Sequence, residues 1–212
     1  MAFLALEELL AWLGGEQAVW PRERLSLWLY PVKTAAVLLA LAGFWRRYDE
    51  LRGRPWQDGG EALLTLAVGV GVYVAWVRMD WPWAVQGQPA GYDPFRAGAT
   101  AGTVLAAIRL FGAAAVVPVM EELFWRSFLL RYLVSARFAT VALGTFTWPS
   151  FLITVVLFGL EHHYWLAGLL AGVAYTLLLY RTRRLWPCVL AHALTNLLLG
   201  VHVLLTGEWH WW

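Results

Sequence analysis

The chain has 212 residues, of which 60% are hydrophobic and 14% charged, with 15 tryptophans and a formal charge of only +2. An ordinary soluble domain carries roughly 25% charged residues, and a core of this length leaves too much area exposed to hide so much apolar surface, so these side chains belong in lipid. The weak net charge gives no argument for nucleic acid, and the single cysteine, Cys188, excludes an intrachain disulfide framework and a cysteine-based zinc site.

Residues 1–25 read as an interfacial N-terminal segment, with Trp12 and Trp20 suited to the headgroup zone. Residues 1–13 hold Glu7 and Glu8 without a basic residue, which does not read as a cleaved secretory signal. Apolar runs of ~20 residues cross the hydrocarbon as helices. They are predicted at 26–45, 60–77, within 97–134, and at 139–160, 164–180 and 185–206. The third is too long for one plain span. Residues 81–95, with Pro82, Pro89 and Pro94, read as an outer loop. No internal repeat or second domain is visible. The predicted fold is an all-α polytopic transmembrane bundle, a single domain over 1–212 with about six spans (range six to eight), an interior polar site and a motif-bearing core at 118–199.

Arginine placement orients the bundle. With six alternating spans, nine arginines between 46 and 54, 131 and 137, and 181 and 184 fall on one side, against Arg22, Arg24, Arg78 and Arg96 on the other. Loops 46–59, 135–138 and 181–184 are therefore predicted to be cytoplasmic. The composition, with a single lysine, suits a GC-rich bacterial genome and a multi-pass protein of the bacterial cytoplasmic membrane.

Ionisable groups inside spans cost about 2.5–3.5 kcal/mol each even on the lenient insertion scale, so they mark function. This chain carries Glu121, Glu122 and Arg126, then Glu161, His162 and His163, then His192 with Asn196. Glu122 and Arg126 are four apart and share a helix face, while Glu121 points about 100° away. One carboxylate is thus neutralised while its neighbour stays free. His192 and Asn196 repeat the interval, as do Phe158 and His162. Each feature has a plain structural explanation: an ion pair between helices, a hydrogen-bonded core histidine, or surface positions for Glu161 and His163. The full set on three spans is harder to explain that way. Lys33 is placed to snorkel and Arg109 to pair, and neither is given a role.

A carboxylate and a histidine together can deprotonate water. A second histidine and an asparagine amide can donate hydrogen bonds to the oxyanion of a tetrahedral intermediate. These types suit amide hydrolysis by direct water attack. No Gly-x-Ser-Gly nucleophile, buried aspartate dyad or His-Glu-x-x-His motif is present. Depth is the loosest step, because the third span has to be long, or the return path to His162 bent near Trp148–Pro149, for Glu121 to reach His162.

Glu121-Glu122-Leu-Phe-Trp-Arg126 fits E-E-x-x-x-R, Phe158-Gly-Leu-Glu-His162 fits F-x-x-x-H, and His192-Ala-Leu-Thr-Asn196 fits H-x-x-x-N. In that order, on successive apolar spans, they resemble the three motifs of the CAAX prenyl endopeptidase (CPBP/Abi) family of intramembrane proteases. The stretch from Val117 to Leu129 further resembles the bacterial CAAX prenyl protease-related subgroup associated with exosortase systems. The resemblance implies a membrane endopeptidase acting on a membrane protein or lipidated peptide. It implies that Glu121 and His162 activate water, that His192 and Asn196 hold the oxyanion, and that Glu122 and Arg126 position the site, with Phe158 supporting. Glu161 and His163 are alternates. A zinc-dependent version would use Glu121, His162 and His192 as ligands; the metal-free scheme is favoured because asparagine is a poor zinc ligand and a natural donor. The competing reading is a non-catalytic membrane binding, immunity or assembly factor.

Overall fold

The computed structural model describes residues 22–87 and 91–212. Most of the predicted interfacial segment, with Trp12 and Trp20, and Pro89 of the outer loop lie outside the described residues; residues 22–25 form the first turn of a helix.

Six helices carry the described fold: α1 Arg22–Phe44, α2 Gly59–Trp76, α3 Ala99–Tyr132, α4 Trp148–Leu160, α5 Trp165–Thr182 and α6 Leu185–Thr206. All but α4 are long and apolar enough to cross a membrane, and no strand occurs among the described residues. Large apolar side chains point outward along the helices, among them Leu39, Leu63 and Leu205. In water such a surface would aggregate; against lipid tails it is matched to its solvent. The chain is an integral membrane protein built as a helical bundle.

Polar residues at the helix ends set the boundaries. The Asp58 carboxylate accepts the Glu61 N–H at 2.8 Å, while the Glu61 carboxylate accepts the Gln57 N–H. The Asp58 cap, with the second bond tying down the preceding residue, starts α2. The Thr147 hydroxyl accepts the Ser150 N–H, and Pro149 occupies the first turn of α4, where its missing N–H costs nothing. Gly207, at φ +73°, ends α6 in the left-handed conformation.

Two predicted spans change shape. The fourth, placed at 139–160, is helical only over Trp148–Leu160, 13 residues or about 20 Å. Apart from a short 3-10 turn at Phe138–Thr140, residues 139–147 form irregular backbone that turns at Gly144. The third is one helical run of 34 residues, about 50 Å, with no break. It absorbs Pro118 through two π-helical stretches, Gly112–Val116 and Leu123–Leu129.

Helix α6 runs through the centre, packed against α2, α3 and α5, while α4 pairs with α5 and α1 leans mainly on α3. The three arginine-rich loops meet at one end. Arg131 pairs with Glu50 and donates to the Val141 carbonyl, and Arg184 bridges Glu61 at 2.9 Å and the Arg54 carbonyl. At the opposite end the loop after α2 meets the turn between α4 and α5 through Gln86 and His163. The 3-10 turn Trp209–Trp211 lies beside it, its Trp209 carbonyl accepting the Tyr92 N–H at 3.2 Å.

Candidate active site

Helix α3 supplies the acidic wall. Glu122 and Arg126 are both fully buried and pair at 3.0 Å across one turn. The Arg126 guanidinium lies 4.3 Å from the Phe158 ring centroid and 5.4 Å from that of Tyr175. It is held between aromatic faces, which suits a planar, weakly hydrated cation. Glu121, one residue earlier, points elsewhere, and its Oε2 is buried without a hydrogen-bond partner among the described residues.

Helix α6 sets a histidine between the two carboxylates. His192 Nδ1–H donates to Glu122 Oε1 at 2.9 Å, and its Nε2 lies 4.0 Å from Glu121 Oε2. The Tyr175 ring stacks on the imidazole at 5.1 Å and 20°, and its hydroxyl donates to Thr195 at 2.8 Å. Ring plane and tautomer are therefore fixed from two sides. One turn on, the Asn196 amide donates to the Ala113 carbonyl at 2.8 Å. The partner follows from the π-helical turn. There Val117 N–H bonds back to Gly112, and the residue that would serve the Ala113 carbonyl next is Pro118, which has no N–H. Asn196 fills that place with one amide hydrogen and keeps the other.

Helix α4 brings the second histidine. From Glu121 to the inner end of α3 at Tyr132 is eleven residues, about 17 Å, and α4 is about 20 Å long. The two run antiparallel, so the shortness of α4 puts its outer end level with Glu121. No bend at Trp148–Pro149 is needed. His162 follows in the turn, where Nδ1–H donates to the Phe158 carbonyl at 2.7 Å, leaving Nε2 as the acceptor. Trp76 meets its ring edge-on at 5.4 Å. Gln86 ties the turn down, donating to the Leu160 and His162 carbonyls at 2.7 and 2.8 Å.

Glu121, His162, His192 and Asn196 all line one cavity of about 280 Å³, with Phe158 beside them. Glu122 and Arg126 lie behind its wall. Glu161 and His163 face a second, outer chamber of about 430 Å³, where His163 Nδ1–H donates to the Gln86 carbonyl at 3.0 Å. His162 borders both chambers. The sequence reading passed over Tyr175, Trp76 and Gln86. Tyr175 is one polar group in an apolar span and Gln86 an exposed loop amide, signals too weak to act on without partners.

The zinc alternative meets a geometric objection. Among the described residues no group of three or more His, Cys, Asp and Glu side chains converges as a metal ion needs. Glu121, His162 and His192 are thus not gathered into a ready ligand group, and no step is routed through a metal.

Residues 103–198 match the family model described as type II CAAX prenyl endopeptidase Rce1-like. No curated protein and no solved structure matches the chain.

Proposed function

With residues 103–198 belonging to the Rce1-like family of type II CAAX prenyl endopeptidases, we propose that this chain is an intramembrane endopeptidase that cuts a prenylated or otherwise lipid-anchored protein by direct water attack. The observation that carries the reading is the common cavity of Glu121, His162, His192 and Asn196, drawn from distant stretches of an apolar bundle.

In this reading a water held between the Glu121 carboxylate and His162 Nε2 gives its proton to Glu121 as its oxygen attacks the substrate carbonyl. His192 is set between two carboxylates. Its Nε2–H, with the second amide hydrogen of Asn196, donates to the oxyanion that forms. The proton on Glu121 then passes to the departing nitrogen as the carbon–nitrogen bond breaks. Glu122, itself paired with Arg126, holds His192 in place. The end of the bundle bearing the arginine clusters faces the cytoplasm of a bacterial membrane.

The test is cleavage of a farnesylated C-a-a-X peptide by purified protein. Glu121→Gln and His192→Ala should each lower the rate by about 10²-fold or more. Cleavage by both at the wild-type rate would sink the enzyme reading and leave a binding or assembly factor. Wild-type activity should survive 1,10-phenanthroline; loss that zinc restores would overturn the metal-free scheme.

A further inference from the structure

Among the described residues, Arg109 is the arginine on the inner cavity wall that the mechanism leaves unused, and Lys33 lines only the outer chamber. Arg109 borders both the inner and the outer chamber, at the passage between them, together with Tyr30, Trp76, His162, Trp211 and Trp212. Its guanidinium lies 4.2 Å from the Tyr30 ring centroid, 5.1 Å from Tyr92 and 6.0 Å from Trp212. Its Nε is buried without a hydrogen-bond partner, and no carboxylate pairs with it among the described residues. Burial pushes the Tyr92 phenol up to about 12 even with the guanidinium beside it, so Tyr92 supplies no anion. Glu161 lines the outer chamber too but forms no ion pair with Arg109.

A half-buried guanidinium with aromatic faces around it, a buried Nε without a partner and open donors is completed by an anion. Other buried or half-buried arginines of this chain have one: Arg126 pairs with Glu122, Arg131 with Glu50 and Arg184 with Glu61. Arg109 presents its donors to a cavity instead. It also lies on the helix that carries Glu121, twelve positions earlier. The axial offset is at most about 18 Å, the reach of about five extended residues. A peptide whose cut bond sits at Glu121 and His162 and whose chain continues outward therefore brings its end to Arg109.

We propose that Arg109, within its collar of Tyr30, Tyr92 and Trp212, is the subsite that binds the terminal carboxylate of the substrate, no more than about five residues beyond the cut bond. This rests on the endopeptidase reading above. It makes the protein a reader of chain ends: a guanidinium fork pairs with a carboxylate and has no comparable partner in an amide.

The test separates binding from cutting. Farnesyl-cysteine peptides with three, five or seven residues after the cysteine, each as free acid and as carboxamide, are titrated by fluorescence anisotropy against the Glu121→Gln protein in detergent. At three or five residues the acid should bind about tenfold more tightly than the amide, and at seven the preference should shrink. Adding Arg109→Gln should abolish the preference and leave amide binding unchanged, which also shows that the variant is folded. Arg109→Lys should keep part of it. Equal binding of acid and amide, a preference that survives Arg109→Gln, or no binding by any peptide overturns the proposal. So does equal peptide binding with Arg109→Gln losing affinity for phosphatidylglycerol, which would assign the anion to a lipid headgroup. A carboxylate preference in a wild-type protein that never cleaves these peptides leaves the subsite standing and sinks the enzyme reading.

Discussion

At the scale of single residues, the site turns on how charge is held without water. Glu122, Arg126 and His192 form a buried chain with bonds of 3.0 and 2.9 Å. Removing one member strands another, so Arg126→Ala should lower stability by about 3–5 kcal/mol. The double variant Glu122→Leu/Arg126→Met should recover only part of that loss in thermal melts, because His192 Nδ1 still loses its acceptor, while staying inactive. Asn196 makes a different prediction. Because it serves the Ala113 carbonyl, Asn196→Ala should cost about 1–3 kcal/mol of stability in addition to rate; a donor facing only the substrate would cost rate alone. The Glu122–Arg126 pair was legible from a four-residue spacing. The His192–Glu122 bond was not, because it joins helices seventy positions apart and spacing carries no information between them. The tie from Asn196 to Ala113 was hidden for another reason: it depends on a π-helical turn that hydropathy cannot reveal.

At the scale of elements, α4 and α5 show how closely the backbone is specified. A Cβ on Gly168 would lie 3.1 Å from the Gly159 Cα and 3.2 Å from His162 Nδ1, atoms that cannot all yield. Gly168→Ala should therefore cost about 1–3 kcal/mol and move His162, lowering cleavage more than binding of a farnesylated peptide. The number and order of the helices were legible, since apolar runs dominate the chain. The start of α4 was not. Residues 139–147 are nearly as apolar as the helix that follows, so composition merges them, while the Thr147 and Pro149 pair that marks the true boundary is a short signal inside a long hydrophobic one. The same merging obscured the site's depth, which follows from the length of α4.

At the scale of the whole molecule, the two ends differ in chemistry. At the arginine-rich end, burial alone would raise the Glu50 pKa, but hydrogen bonds from the Ser127 hydroxyl and backbone and the charge of Arg131 outweigh it and hold the carboxyl below its ordinary value. A depressed folded-state pKa contributes stability above the unfolded value and loses it as pH falls through the folded one. The melting temperature should thus drop as pH is lowered below about 4.5. Glu50→Gln should start lower at neutral pH and respond more weakly to acid. Accessibility labelling of single cysteines placed in loops 46–59 and 181–184, in a Cys188→Ala background, should report the same, cytoplasmic side for both; labelling from opposite sides would contradict the proposed orientation.

The short fourth helix has a consequence for the membrane itself. About 20 Å of helix meets a hydrocarbon layer about 30 Å thick, while α6, with 22 residues, matches it. The Trp148 ring at the inner end of α4 is 64% exposed, close to Phe146, as an anchor at the headgroup level would be. The lipid shell on this flank must thin, so hydrophobic mismatch is built in on the side where His162 sits. Nanodiscs with shorter acyl chains should relieve that mismatch and raise activity, and longer chains should depress it, with the site itself unchanged.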